Sequence, residues 1–249
     1  MSASEQALVV VVTGAGSGIG RAVSRRLLAD GHRVVLAGRR AEALEESAEG
    51  HSQALCVPCD VTDRAQVDAL FARVEDAAGR VDALMTNAGR GASGSVDELD
   101  PQDFEAVMAV NVTGTVLCAR AAVALMRRQR PQGGRIITNG SISAHSPRPS
   151  SVAYTVSKHA ITGLTKCIEL DGRAIGVRAT QLDIGNAATE MTARMDAGVP
   201  QADGRRMPEP RFDPAHVGDL VAYLVRLPLE VTVPFVTIAA SGMPFIARG

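Results

Sequence analysis

The sequence predicts an α/β fold: a doubly wound parallel sheet of about seven strands with helices on both faces. Three observations predict it. Short runs rich in Val, Leu and Ile alternate with longer stretches of helical periodicity. Several of those runs lack polar alternation, the mark of strands covered on both faces. A glycine-rich turn follows the first run directly. Strand–helix alternation makes neighbouring strands parallel, and right-handed crossovers make the sheet doubly wound.

In chain order, strands are expected at Leu8–Val12, Arg33–Ala37, Gln53–Val57, Asp82–Met85, Arg135–Asn139, Arg178–Leu182 and Phe235–Ala239. Helices are expected to start near Gly18, Ala41, Arg64, Pro101, Ser151 and Pro214, and a long apolar helix is read through Val107–Met126. The stretch from about Asn186 to Phe212 carries Gly198, Pro200, Gly204, Pro208 and Pro210. It is long for a plain loop and is expected to be a lid over a site. With no linker, repeat or low-complexity segment, residues 1–249 read as one domain.

Composition narrows the function classes. With 26 basic and 27 acidic residues, no field draws the chain to nucleic acid or an anionic membrane, and neither is expected as a partner. The N-terminal run MSASEQALVVVVTGAG has no basic leader, so its apolar residues read as a buried strand and not a signal peptide. No segment is read as long enough to span a bilayer. Four scattered Cys without a secretion signal point to reduced thiols and the cytoplasm. Cys56 and Cys59 form a CxxC, but no second pair or paired His completes four ligands, so the motif reads as structural and no metal is expected.

The first strand leads into Thr13-Gly14-Ala15-Gly16-Ser17-Gly18-Ile19-Gly20, and a helix follows. Glycines here let the chain turn sharply and let backbone N–H groups approach a pyrophosphate at the helix N-terminus. The string departs from G-x-G-x-x-G, and no Lys-Ser/Thr pair follows, so it is not a phosphate loop for ATP or GTP. The second strand ends in Gly38-Arg39-Arg40, where an NAD site usually places a carboxylate for the ribose 2′-hydroxyl. Gly38 removes the carboxylate, while Arg39 and Arg40 supply planar cations suited to a 2′-phosphate. NADP(H) is therefore favoured over NAD(H). Asp60, beside Val61 after the third strand, suits an adenine amino group. Asn87-Ala88-Gly89, after the fourth, lets the backbone pass under the adenosine ribose.

Tyr154 and Lys158 stand at i,i+4 within one helical stretch, on one face. A phenol exchanges its proton poorly at neutral pH, and a neighbouring ammonium favours the phenolate. Such a Tyr can protonate a carbonyl oxygen as hydride arrives, or run in reverse. Ser141 lies just past the fifth strand, where its hydroxyl can hold the substrate oxygen against Tyr154.

Thr13 to Gly20, Asn87-Ala88-Gly89, Ser141 and Tyr154/Lys158 together resemble the short-chain dehydrogenase/reductase family, over nearly the whole chain and in its compact single-domain branch. That resemblance implies a Rossmann-like domain that moves hydride between nicotinamide and a carbonyl or secondary alcohol. It implies that Asn111 is the fourth catalytic residue, helping to hold a water linking Lys158 to solvent. It also implies that Lys158 grips the nicotinamide ribose, that Thr189 contacts the diphosphate or carboxamide, and that the subunits form a dimer or tetramer through the Val107–Met126 and Tyr154 helices.

Three departures stand out. Thr86 replaces the first Asn of Asn-Asn-Ala-Gly and is expected to be tolerated. Ile184-Gly185, preceded by Asp183, replaces Pro-Gly and is expected to reshape the floor of the nicotinamide pocket or to admit a different lid path, and Ile184 is expected to contact cofactor. Leu227-Pro228-Leu229-Glu230-Val231 resembles the endings of family members acting on 3-hydroxy acids and similar small polar substrates. Substrate contacts are expected from Arg90–Val96, Ser143–Ser150 and the lid. Arg148, Arg194, Arg205 and Arg206 are suited to a carboxylate or else solvated, and Met191, Met195 and Val199 to an apolar pocket. Two alternatives remain: an NAD-preferring dehydrogenase, and a cofactor-binding sensor or scaffold without turnover.

Overall fold

A computed structural model describes residues 7–245, without the side chains of Arg194 and Asp196; residues 1–6, which open the N-terminal run read as leaderless, lie outside the described residues. The large sheet is built from β1 (Val9–Thr13), β2 (Arg33–Gly38), β3 (Ala54–Pro58), β4 (Ala83–Thr86), β5 (Gly134–Asn139) and β6 (Val177–Gly185). Two short strands, β7 (Val199–Pro200) and β8 (Arg206–Met207), pair antiparallel outside it, and β9 (Phe235–Ala239) completes it. The spatial order is β3-β2-β1-β4-β5-β6-β9, and every pair is parallel. The chain thus reverses its direction of winding between β1 and β4, and open α/β sheets bind ligands at the strand C-termini beside such a point.

Successive residues of a strand face opposite sides, and both sides here are apolar. Val9 and Val11 join a core with Leu84 and Ile136 under α3 (Arg64–Ala78), α5 (Gly114–Arg128) and α6 (Val152–Gly172). Val10 and Val12 join a second core with Met85 and Ile137 under α1 (Gly18–Ala29), α2 (Ala41–Ala48) and α7 (Ala215–Arg226). Each buried Val or Leu contributes about 1.5–3 kcal/mol, which holds the strand ends that carry the site in fixed register.

The helix boundaries have local causes. Asp63 caps α3 by accepting from the N–H groups of Ala65 and Gln66, and Gly79 ends it at φ +68°. Asp100 caps α4 (Pro101–Met108), with Pro101 at the first helical position, where no N–H is needed. Residues read as one helix through Val107–Met126 are instead two helices joined by a π-helical turn, Ala109–Thr113. The 28-residue run Pro101–Arg128 is, by length and composition, apolar enough to cross a membrane, which corrects the sequence reading. Its inner face (Cys118, Ala122, Leu125, Met126) is part of the first core, so its apolarity serves packing.

Candidate active site

The glycine turn is locked to the turn that follows β4. Thr13 Oγ1 accepts from the N–H of Asn87 at 3.0 Å and of Ala88 at 3.1 Å, while Asn87 Nδ2 donates to the carbonyls of Thr13 and Gly14. Gly14, at φ +65°, has no room for a side chain, since a Cβ would lie 2.8 Å from Ala88 Cα. A Cβ at Gly20 would lie 2.3 Å from the Gly14 carbonyl oxygen. Gly20 therefore lets α1 seat against the turn. Ser17 stands before α1 in extended conformation without a side-chain cap, and Gly18 faces Thr189, whose Cγ2 a Cβ would approach to 3.1 Å. Arg21 braces the turn: it donates to the Gly16 carbonyl and pairs with Glu46, each at 2.7 Å. Ile19 packs against the second core.

Past β2, Arg39 and Arg40 are both exposed, and neither guanidinium bonds a described residue. Asp60 Oδ1 is taken by the backbone N–H (2.9 Å) and hydroxyl (2.8 Å) of Thr62, so only its other oxygen stays open among the described residues. Val61 is buried against Gly114, where a Cβ would stand 2.7 Å from its Cγ2. Gly89 is exposed, with Asn111 Oδ1 nearby. Thr86 is buried, and its hydroxyl has no hydrogen-bond partner among the described residues.

The second half of the site gathers around α6. Ala153, Ser157, Lys158, Ile161, Thr165 and Ile168 form its buried face, so Lys158 needs a partner inside the protein. It finds one in the Asn139 carbonyl at the end of β5, 2.7 Å from Nζ, with Nζ 5.4 Å from the Tyr154 ring centroid. Asn139 Nδ2 in turn donates to Asn87 Oδ1, tying the Lys158 anchor to the glycine turn. Ser141 is buried, and its Oγ accepts from the Ser143 N–H at 3.1 Å, leaving the hydroxyl proton free to donate. The Tyr154 hydroxyl is bonded to no described residue.

Asn111, buried in the π-turn, has its side chain committed: Oδ1 accepts from the Arg90 N–H, and Nδ2 donates to the Arg90 carbonyl and to Ser157 Oγ. Its own carbonyl accepts from Thr115 Oγ1 at 2.8 Å. Ile184, buried near the end of β6, packs in the second core. Thr189 opens a 3₁₀ helix, Glu190–Ala197, in a reciprocal cap with Thr192.

One substrate-side expectation, for Arg148, is corrected. Arg148 is neither solvated nor free for a carboxylate. It pairs with Glu209, itself 2% exposed, and donates to Asn186 Oδ1 at 2.8 Å. Asn186, at φ +60°, and Gln201 also donate to Glu209. This cluster binds the segment 186–212 to the loop after Ser141. Arg205 pairs with Asp203 and Arg206 donates to the Gly198 carbonyl; the Arg194 side chain lies outside the described residues. Met191 is exposed, while Met195 Sδ lies 4.0 Å from Arg148 Nη1. Leu227–Val231 is held by Arg135 and Arg178, at the starts of β5 and β6. That is the end of the sheet opposite Ser141, so its resemblance to small-acid enzymes carries no substrate information.

Burial and the nearby Glu45 push Cys56 up to about 11, burial with Asp60 and Asp63 pushes Cys59 up to about 11, and burial beside Cys59 pushes Cys118 up to about 12. All three are thiols at neutral pH. Sequence reasoning missed Asn139, Ser157, Glu209 and the pair Asp183–His145, all within this network. One signal was available: an ionisable Asp183 inside the apolar run Leu182-Asp183-Ile184, where a charge must be paired.

Comparison with known proteins agrees with this architecture. A family model described as short chain dehydrogenase matches residues 8–199. A 3beta-hydroxysteroid dehydrogenase of Mediterraneibacter gnavus is 36% identical over 198 residues, covering 77% of this chain and 70% of that protein. The structure of a 3-ketoacyl-(acyl-carrier-protein) reductase from Brucella melitensis complexed with NADH superposes with a TM-score of 0.84 at 26% identity, covering 94% of this chain and 98% of the other. A single-residue variant of an actinorhodin polyketide ketoreductase with NADPH gives a TM-score of 0.82 at 28% identity, covering 96% and 98%.

Proposed function

The chain belongs to the short-chain dehydrogenase/reductase family and is an oxidoreductase using a nicotinamide cofactor; from that premise we propose that it is an NADP(H)-dependent carbonyl reductase or alcohol dehydrogenase. The observation that carries the reading is the buried Lys158 ammonium beside the Tyr154 ring.

The residues present fit a dinucleotide. Gly14 lets the turn after β1 pack against Ala88, beyond the end of β4, which sets the N-terminus of α1 at the winding reversal. Gly38 carries no carboxylate, and the uncommitted Arg39 and Arg40 support a 2′-phosphate. The Brucella reductase complexed with NADH supports the NAD(H) alternative, which the missing carboxylate weighs against. When bound, the cofactor gives or takes the hydride.

Ser141 donates its free hydroxyl proton to the substrate oxygen and holds it for Tyr154. Tyr154 gives a proton to that oxygen during reduction and takes it back during oxidation. Lys158, fixed on the Asn139 carbonyl, stabilises negative charge developing on the phenol oxygen. Asn111 acts by position, holding Ser157 on α6 and the chain at Arg90. The segment 186–212 is a lid, residues 1–249 form one domain, and the protein assembles as a dimer or tetramer, supported by exposed Val116 on α5 and Val156 and Leu170 on α6.

The Tyr154→Phe variant tests the reading. It is expected to bind NADPH like the parent and to lose about 10²–10⁴-fold in turnover, the usual contribution of a general acid. Carbonyl reduction at the parental rate would sink the proton-transfer role.

A further inference from the structure

The hydrogen-bond ladder between β5 and β6 ends at Asn139 and Leu182, with one further bond from the Gly140 N–H to the Leu182 carbonyl. The next N–H belongs to Ser141, which is buried and has no strand left to pair with, and buried backbone donors do not go unpaired. Asp183, one residue beyond the end of the ladder, takes it. Its Oδ1 accepts from the Ser141 N–H at 2.9 Å and from Gln181 Nε2 at 2.8 Å. Its Oδ2 meets His145 Nε2 at 2.7 Å.

Ser141 and His145 are the two caps of the 3₁₀ turn Ile142–Ala144. Both ends of the turn are therefore tied to one carboxylate that is itself 1% exposed. Gly140 completes the arrangement, because a Cβ there would lie 2.1 Å from Asp183 Oδ1.

We propose that Asp183 is a positioning residue for Ser141: it substitutes for the missing strand partner of the serine backbone and, through His145, fixes the turn that aims the serine hydroxyl. This rests on the reading of Ser141 as the group that holds the substrate oxygen. Two variants separate position from mere structure. Asp183→Asn keeps a carbonyl oxygen for the Ser141 N–H, while Asp183→Leu, branched at the same carbon, accepts nothing and leaves that buried N–H unpaired.

With NADPH and 2,3-butanedione as carbonyl probe, the Leu variant is expected to lose about a hundredfold in kcat, the scale of a 1 Å misplacement. Its NADPH affinity is expected to stay within about threefold, and the Asn variant to stay within about tenfold in kcat. Placed on Ser141→Ala, the Leu change is expected to cost nothing further, since residues acting as a unit are not additive. Hydrogen exchange at the Ser141 amide, which needs no turnover, is expected to quicken at least about tenfold in the Leu variant and stay slow in the Asn variant.

The same kcat loss with and without Ser141, a hundredfold loss in the Asn variant, or an unchanged Ser141 amide in the Leu variant would each overturn the proposal. Parental turnover in Ser141→Ala alone would overturn the catalytic reading of that serine, and amide protection would still report whether Asp183 holds the turn.

Discussion

Gly20 is the third residue of α1, and helix propensity alone favours Ala there by about 1 kcal/mol. The structure predicts the opposite sign. A Cβ at Gly20 would stand 2.3 Å from the Gly14 carbonyl oxygen and 2.6 Å from Asn87 Nδ2. Reaching 3.0 Å, below which real Cβ atoms essentially never approach, requires the start of α1 to withdraw by about 0.7 Å. The obstacle is backbone, so it cannot rotate away. Overpacking of this kind costs about 1–3 kcal/mol, which meets or exceeds the propensity gain. Gly20→Ala is therefore expected to be destabilised by up to about 2 kcal/mol, or up to about 8 °C in melting temperature at this chain length. Because the withdrawal opens the turn proposed to cradle phosphate, NADPH binding is expected to weaken at least about tenfold, or 1.4 kcal/mol. Gly163→Ala in α6 is the control: nothing lies within 4 Å of its added Cβ, and it should be stabilised by about 1 kcal/mol. Thermal melts and NADPH titrations of both variants decide the matter. A Gly20→Ala protein that melts above the parent and binds NADPH equally would refute the steric argument.

Glu209→Ala should free the segment 186–212, because it leaves Arg148 and Asn186 without their buried acceptor; breaking such a pair costs about 3–5 kcal/mol. Trypsin should then cut after the exposed Arg205 or Arg206 at least about tenfold faster, and an unchanged rate would refute the clamp. Iodoacetamide at pH 8 should label the exposed Cys167 first. Raised thiol pKa values mean less thiolate at a given pH, so Cys56 and Cys59, at about 11, hold only about one thiolate in a thousand there, and Cys118 holds less. Their labelling should rise only as the pH approaches 11, and equal labelling of Cys118 and Cys167 at pH 8 would contradict the burial argument.

The strands were legible because both cores draw on alternate residues of uninterrupted apolar runs, and six of the seven fall within about two residues of expectation. The seventh, β6, runs on to Gly185 instead of stopping at Leu182. A charged residue reads as a strand end, yet Asp183 stays inside because the Ser141 N–H, Gln181 and His145 satisfy it. The π-turn at Ala109–Thr113 has no propensity signature, so two helices read as one. The helix after Thr189 was missed because its cap closes with Thr192 where the usual box has Glu or Gln. Arg148 could not be assigned from sequence, since its partner Glu209 lies 61 residues away.

The cofactor preference is decided by a fluorescence titration of the protein with NADPH and NADH, repeated on Arg39→Ala. A charge-assisted bond to a phosphate is worth about 1.5–3 kcal/mol, and tenfold in affinity is 1.4 kcal/mol. NADPH should therefore bind at least about tenfold more tightly than NADH, and Arg39→Ala should remove most of that preference while leaving NADH binding unchanged. Equal or tighter binding of NADH would contradict the NADP(H) assignment and leave the Ser141, Tyr154 and Lys158 arrangement serving an NAD-dependent enzyme.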